Sequence, residues 1–426
     1  MDIKALHRLF LSHPYVFTDS RKVIKNGLFF ALKGDNFNGN KYAESSIEQG
    51  AAFAIVDEFK DHPKCILVNN VLQTLQNLAH YHRIHLGIPI IGITGSNGKT
   101  TTKELLYAVL RKKFKTNATQ GNLNNHIGVP LTLLTMNAST EIGIIEMGAN
   151  HIGEIAFLTR MAEPDFGYIT NFGKAHLEGF GSIEGVIQGK SELYEYLKKH
   201  RKTIFVNSND STQLSQLTGY DNTYRFGFNP DDDCIIAYSN NNNNNTTVVA
   251  EFDGHTAKSQ LIGAYNFTNI AIAIAVGTYF NVPPADICKA IEGYESRNNR
   301  SQIIRRGKNT VILDAYNANP TSMRAALDHL SQTENSSKVV VLGDMLELGD
   351  SSASEHQGIA SLVESMNLSN IYLVGPRFYE TQTKKAIKHK SVDSVKQQLQ
   401  EQPFSKSLIL IKGSRGMALE RLLEII

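Results

Sequence analysis

Apolar residues along this chain come in two rhythms. Short dense runs at 28–32, 52–56, 65–68, 88–93, 142–145, 166–170, 311–313, 338–342, 371–374 and 408–411 have the length of strands buried on both faces. Between them lie stretches that read as helices. These are 42–49, 71–86, a segment opening at Lys99 with Leu106, Leu110 and Phe114 four apart, 182–200, and the very apolar 270–280. Strands alternating with helices predict an α/β chain with mostly parallel sheets, whose ligands gather at the carboxyl ends of the strands.

The length of 426 residues suits about three domains, at roughly 100–200 residues each. The pattern divides into a small α/β unit over 1–86, a larger mostly parallel unit over 87–297, and a third over 298–426. The last boundary falls in the polar stretch 294–300. The third unit repeats strand, loop and helix in a Rossmann-like way. Residues 201–260 read as short strands and loops, and the asparagine run 240–245 as a surface loop without chemistry.

Composition narrows the picture by exclusion. A net charge of +2 argues for neither nucleic acid nor an acidic membrane surface as a partner. Cys65, Cys234 and Cys288 match no metal or disulfide spacing and fit a reducing compartment. The first residues lack the apolar core of a signal peptide, and no apolar run is long enough to span a bilayer. The expectation is a cytoplasmic enzyme away from membranes.

The strongest candidate chemistry follows the run 88–93. Thr94-Gly95-Ser96-Asn97-Gly98-Lys99-Thr100 is a glycine-punctuated turn between a strand and a helix, the geometry that cradles phosphate on backbone N–H groups. The strict Walker pattern needs glycine at 93, where Ile93 stands, so this is a tighter variant. Lys99 is placed to reach the terminal phosphates and Thr100 to offer its hydroxyl to Mg²⁺. Glu146 ends one strand and His176 follows another, so a parallel sheet carries both to the edge where Thr100 lies. Oxygen donors beside a phosphate cradle suit Mg²⁺. Other polar stretches read two ways. Thr18-Asp19-Ser20-Arg21 fits a capped turn or a ligand loop. Asn266 and Thr268 fit a helix cap or a contact to a nucleotide base. Lys190, on a predicted helix, reads by itself as a solvated lysine. In the third unit, loops at 314–321, 343–349 and 412–416 cluster polar groups at strand ends, where binding faces form.

Taken in order, these motifs resemble those of the Mur ligases. The resemblance rests on Thr18–Arg21, Leu28-Phe29-Phe30-Ala31-Leu32-Lys33-Gly34, the cradle, Gly121-Asn122-Leu123-Asn124-Asn125 and Glu146-Met147-Gly148-Ala149-Asn150. It continues through Ala175-His176-Leu177-Glu178, Asp314-Ala315-Tyr316-Asn317-Ala318-Asn319-Pro320 and Gly343-Asp344-Met345-Leu346-Glu347-Leu348-Gly349. The last two loops point to the member that joins D-alanyl-D-alanine to UDP-N-acetylmuramoyl-tripeptide. The resemblance implies a UDP-substrate-binding N-terminal domain, a central ATP-binding domain and a C-terminal Rossmann-like domain that closes on the nucleotide. It implies ATP contacts from Gly95, Ser96, Asn97, Gly98, Lys99, Thr100 and Thr101, with Asn266 and Asn269 at the adenine and Asp314 at the ribose. Thr100, Glu146, His176 and a CO₂-carbamylated Lys190 would serve two Mg²⁺ ions. Lys99, His176, Lys190 and Arg300 would act in catalysis. Ser20, Arg21, Lys33, Asn319, Asp344 and Glu347 would meet the substrates.

The reaction so implied is an ATP-dependent amide ligation through an acyl phosphate, by a monomer whose domains close on their ligands from an open state. Other ligases of the superfamily remain as alternatives, namely the one adding the third residue or a folylpolyglutamate synthetase. A nucleotide switch would need Asn-Lys-x-Asp and Asp-x-x-Gly, and neither tetrapeptide occurs.

Overall fold

A computed structural model describes residues 2–239, 247–296 and 299–426. The asparagine run 240–245 and the expected boundary at 297/298 lie outside the described residues. The chain builds three α/β units around three larger sheets.

In the N-terminal unit, Val16–Phe17, Leu28–Phe30, Phe53–Val56 and Cys65–Leu67 lie side by side in a parallel sheet. Leu28, Phe29 and Phe30 are fully buried, as a continuous apolar run in a parallel sheet requires. Helix Val71–Leu86 leads out of the unit. Asn70 caps its start by accepting from the Gln73 N–H, and Gly87, at φ 61°, ends it in the left-handed region. Its buried Arg83 donates to the Ala162 and Glu163 carbonyls and pairs with Asp165 at 2.8 Å, fastening the linker to the central unit.

The central sheet has seven parallel strands. Ile90–Thr94 sits between Phe166–Ile169 and Ile142–Glu146. The register pairs Ile93 with Glu146 and Thr94 with Ile169, so the cradle, Glu146 and the loop after Ile169 share one sheet edge. Helices Lys99–Leu110 and Phe267–Tyr279 pack together on one face of this sheet. Phe267–Tyr279 is apolar nearly all round because a small antiparallel sheet, Ala237–Ser239, Thr247–Phe252 and His255–Ile262, belongs to the same core.

The C-terminal sheet has six strands. Five are parallel, and the edge strand Gln302–Arg306 pairs antiparallel with Asn309–Asp314. The tail after Lys412 forms two 3₁₀ turns, Arg415–Met417 and Leu419–Glu424. This unit is docked on the central one. Lys174 pairs with Glu355 at 2.6 Å, the Tyr265 hydroxyl meets Ser301 Oγ at 2.9 Å, and Asn319 Nδ2 donates to Asn97 Oδ1 at 2.7 Å. Among the described residues no helix is long and apolar enough to cross a membrane.

Candidate active site

A cleft of 820 Å³ opens where the central and C-terminal units meet, floored by the phosphate cradle. Gly95, at φ 138°, lies so close to the next strand that a Cβ there would stand 2.0 Å from Thr170 Oγ1. Gly98, at φ 79°, is the residue before helix Lys99–Leu110, and no side chain caps that helix. The N–H groups of its first turn are therefore left to an anion, reinforced by the helix dipole. Lys99 folds back on the Gly95 and Ser96 carbonyls at 2.7 and 3.2 Å. Desolvation pushes its amine down to about 8, against the pull of Glu146. Asn171 and Thr170 pin the loop from the adjoining strand. Asn171 Oδ1 accepts from the Asn97 N–H, and the Asn97 carbonyl accepts from Thr170 Oγ1 and Asn171 Nδ2.

Beside the cradle, Glu146 is buried. Its Oε1 accepts from Asn124 Nδ2 at 2.8 Å and from Thr100 Oγ1 at 3.2 Å. Its Oε2 is buried with no hydrogen-bond partner, and the nearest cation, Lys103 Nζ, stands 4.0 Å away. An orphaned carboxylate oxygen next to a threonine hydroxyl is a hard-oxygen donor set that suits Mg²⁺. Among the described residues no group of three or more His, Cys, Asp and Glu side chains stands together. An ion here must therefore draw further oxygens from phosphate or water, as Mg²⁺ commonly does.

His176, at φ 52°, lines the same cleft, and its Nδ1 is hydrogen-bonded to Glu347 of the C-terminal unit. Lys190 is fully buried in helix Ile183–Lys199. Its Nζ donates to the Ala149 carbonyl at 2.9 Å and lies 4.9 Å above the Phe180 ring. Burial, with the nearby charge of Lys99, holds this amine well below the usual lysine range. Lys190 is thus no solvated surface lysine, although it stands behind the cleft wall and does not line it.

Arg300 lies on the Tyr316 ring at 3.7 Å, and Asp314 is paired with the buried Lys412. Asn266 and Asn269 line the cleft and also hold it together: Thr102 Oγ1 donates to Asn269, Asn269 Nδ2 to Asn266, and Asn266 Nδ2 to the Ile262 carbonyl.

The expected ATP and metal residues from Ser96 to Thr101, with Glu146, His176, Asn266, Asn269 and Asp314, meet in this cleft, together with Arg300, expected in catalysis, and Glu347, expected at the substrates. The expected substrate residues divide. Ser20, Arg21 and Lys33 follow strand ends of the N-terminal sheet and do not line the cleft. Arg21 pairs with Asp19, and Lys33 with Asp57 and Glu58 at 2.9 and 3.1 Å. Asn319 caps helix Pro320–Gln332 while reaching Asn97. Asp344 is turned inward, away from the cleft. Its carboxylate accepts the Arg377 and Phe378 N–H groups at the start of a short helix, so here it holds a turn in place. Sequence reasoning marked the loops 121–125, 314–321 and 412–416 but gave no role of their own to Asn124, Asn171, Lys103, Tyr316, Lys412 and Arg415. The amide-rich loop 121–125 was a signal for Asn124.

Three family models match in order: "Mur ligase family, catalytic domain" over residues 15–91, "Mur ligase middle domain" over 93–277 and "Mur ligase, glutamate ligase domain" over 299–415. The UDP-N-acetylmuramoyl-tripeptide–D-alanyl-D-alanine ligase of Bacillus subtilis is 35% identical over 96% of this chain and 92% of its own length. A crystal structure of MurF from Acinetobacter baumannii superimposes with a TM-score of 0.86 at 30% identity, covering 96% of this chain and 92% of that one. MurF from Thermotoga maritima in complex with ADP matches at a TM-score of 0.85 and 26% identity, with 97% of each chain covered.

Proposed function

We infer the function from one premise: the chain belongs to the Mur ligase family. It is an ATP-dependent ligase that joins D-alanyl-D-alanine to UDP-N-acetylmuramoyl-tripeptide in peptidoglycan synthesis, with the three-domain fold of that family. We take the domains as 1–86, 87–297 and 298–426, and the working unit as a monomer, since one chain supplies the whole cleft.

The terminal carboxylate of the tripeptide attacks the γ-phosphorus of ATP. The bond to the bridging oxygen breaks, leaving ADP and an acyl phosphate. The dipeptide amine then attacks the acyl carbon, loses a proton, and the tetrahedral intermediate expels inorganic phosphate. Two anions must approach in the first step, so the site has to supply positive charge and fixed donors. The open N-terminus of helix Lys99–Leu110, with Lys99 at its first position, carries this reading. Gly95 to Thr101 hold the phosphates, and Arg300, steadied on Tyr316, faces the transferring group. Asn266 and Asn269 border the base and Asp314 the ribose.

Thr100, Glu146 and His176 would hold Mg²⁺, which when bound neutralises the phosphate oxygens. The orphaned Glu146 Oε2 supports this. Lys190 suits carbamylation. Among the described residues its amine makes no ion pair with a carboxylate, and burial holds it well below the usual lysine range. Reaction with CO₂ forms an N–C bond, releases one proton and leaves an anion, which would reach toward the metal site. Ser20, Arg21 and Lys33 sit at the edge suited to the UDP end of the substrate, and Glu347 is near the acceptor.

The test is ADP release measured with UDP-tripeptides carrying lysine or diaminopimelate, each with and without D-alanyl-D-alanine. Release should require both substrates, and one tripeptide should be preferred. Release that ignores the dipeptide would refute the reading.

A further inference from the structure

The loop Lys412-Gly413-Ser414-Arg415-Gly416 carries a cation that no step above uses. Four lysines and arginines line the cleft among the described residues: Lys99, Arg300, Lys412 and Arg415. Three are engaged. Lys99 sits on the cradle carbonyls, Arg300 lies flat on Tyr316, and Lys412, 1% exposed, is neutralised by Asp314. Arg415 differs. Its nearest carboxylate, Glu420, is 3.6 Å away, beyond direct hydrogen-bonding distance, and its side chain is 62% exposed.

Its mounting is nonetheless firm. The Ser414 N–H donates to the Asp344 carbonyl at 3.2 Å, and Ser414 Oγ accepts from the Leu346 N–H at 2.9 Å. The loop bearing Arg415 is therefore bolted to the loop bearing Glu347, whose carboxylate lines the same cleft. Arg415 also stands 6.0 Å from the centre of the Tyr316 ring that carries Arg300 at 3.7 Å. A cation with spare donors thus lines the cleft from the C-terminal unit, beside the ring that carries Arg300.

The proposed reaction contains one carboxylate that needs such a partner. The acceptor is a dipeptide whose amine must lie at the acyl carbon. Its own carboxylate then sits up to about 7 Å further on, the span of two extended residues. An arginine fork matches a carboxylate bidentately, and the geometry orients as well as binds. We propose that Arg415 binds the terminal carboxylate of the incoming dipeptide and thereby selects acceptors with a free carboxyl end. This rests on the ligase reading above.

The experiment compares D-alanyl-D-alanine with D-alanyl-D-alaninamide in wild type and Arg415→Met. Wild type should prefer the free acid by roughly 30- to 100-fold in kcat/KM, the scale of a charged hydrogen-bonded pair. In Arg415→Met the preference should collapse to about threefold or less. The dipeptide KM should rise while the ATP KM stays within about twofold. Undiminished discrimination, or a loss appearing in the ATP KM, would overturn the assignment and place Arg415 on the nucleotide. If Arg415→Met does not fold, Arg415→Lys keeps the charge without the fork and should raise the dipeptide KM about tenfold. An unchanged KM there overturns it too. Wild-type enzyme that ignores the free dipeptide would instead strike down the ligase reading itself.

Discussion

Asn97 occupies the middle of the cradle and is held from two domains at once. Asn171 and Thr170 grip its backbone from the central sheet, and Asn319 of the C-terminal unit donates to its side chain at 2.7 Å. Asn319 therefore works as a latch that lets the phosphate loop register docking. The Asn319 side chain also accepts the Ser322 N–H to cap helix Pro320–Gln332, so removing it altogether would confuse two effects. Asn319→Asp separates them, because a carboxylate still accepts the Ser322 N–H but cannot donate to Asn97. Melting temperature should stay within about 2 °C, while kcat falls roughly tenfold, the worth of one hydrogen bond turned into a repulsion. An unchanged kcat would mean that the contact is idle. At this scale the cradle, Glu146 and His176 were legible, because each follows an apolar strand whose end is easy to locate. The trio Arg300, Tyr316 and Arg415 was not. Arg300 was expected singly, but Arg415 lies far along the chain from it and from Tyr316, and only the folded sheet brings both guanidinium groups to one ring.

Helix Val71–Leu86 joins the N-terminal unit to the rest, and its bond to helix Ile3–Ser12 is a histidine relay. His82 Nε2 meets the Met136 carbonyl at 2.9 Å, so that nitrogen carries the proton. His82 Nδ1 is then an acceptor, and His7 Nε2 donates to it at 3.0 Å. His82 must be neutral for this chain of donors, since its Nδ1 has to accept. Burial first, then the charges of His82 and His85, bring His7 from 6.5 down to about 4, and burial lowers His82 as well. The unfolded chain thus takes up protons before the folded one does. Stability from this relay is complete above about pH 6.5 and is lost as pH falls toward 4. His7→Gln keeps a donor without a titrating ring. Its melting temperature should fall less steeply between pH 7 and pH 4 than that of wild type, and identical slopes would clear the relay of any role. Elements of this chain were legible where burial made the pattern continuous. Val71–Leu86 was readable to the residue, with Asn70 before it and Gly87 after it. Ile3–Ser12 went unread although Asp2 caps it and Leu6, His7 and Phe10 form its buried stripe. The edge strand Gln302–Arg306 was hidden for a physical reason: no residue in it is fully buried and both its ends are polar, so no hydrophobic run marks it.

For the whole molecule, the question is what keeps the C-terminal unit docked. The polar contacts described across the cleft are few, and they stand beside an apolar cluster that runs through both units, with Leu177 and Ile262 on the central side and Ile312, Met345 and Leu348 on the other. The polar ones include the Lys174–Glu355 pair, whose lysine is half exposed, the His176–Glu347 bond, and single hydrogen bonds from Asn319 and Tyr265. A pair of that exposure contributes about 0–1 kcal/mol, and each neutral bond about 1 kcal/mol. Against the lost freedom of a domain such polar terms add little, and docked and open arrangements are expected to exchange. A small differential affinity then decides between them. ATP supplies it, because the cradle lies on one unit while Asp314 and Arg300 approach from the other side of the cleft. On the proposed reading the UDP-substrate would add to it by tying the N-terminal unit to the same centre. In solution without ligands, the radius of gyration should therefore exceed that of the docked arrangement. It should shrink when a non-hydrolysable ATP analogue and UDP-tripeptide are added together, and shrink less with either alone. Raising salt should favour the open population, since it weakens the Lys174–Glu355 attraction. X-ray scattering decides the matter. A ligand-free particle already as compact as the docked arrangement, and unmoved by both ligands, would show that the units are locked by their own contacts and that closure plays no part in assembling the site.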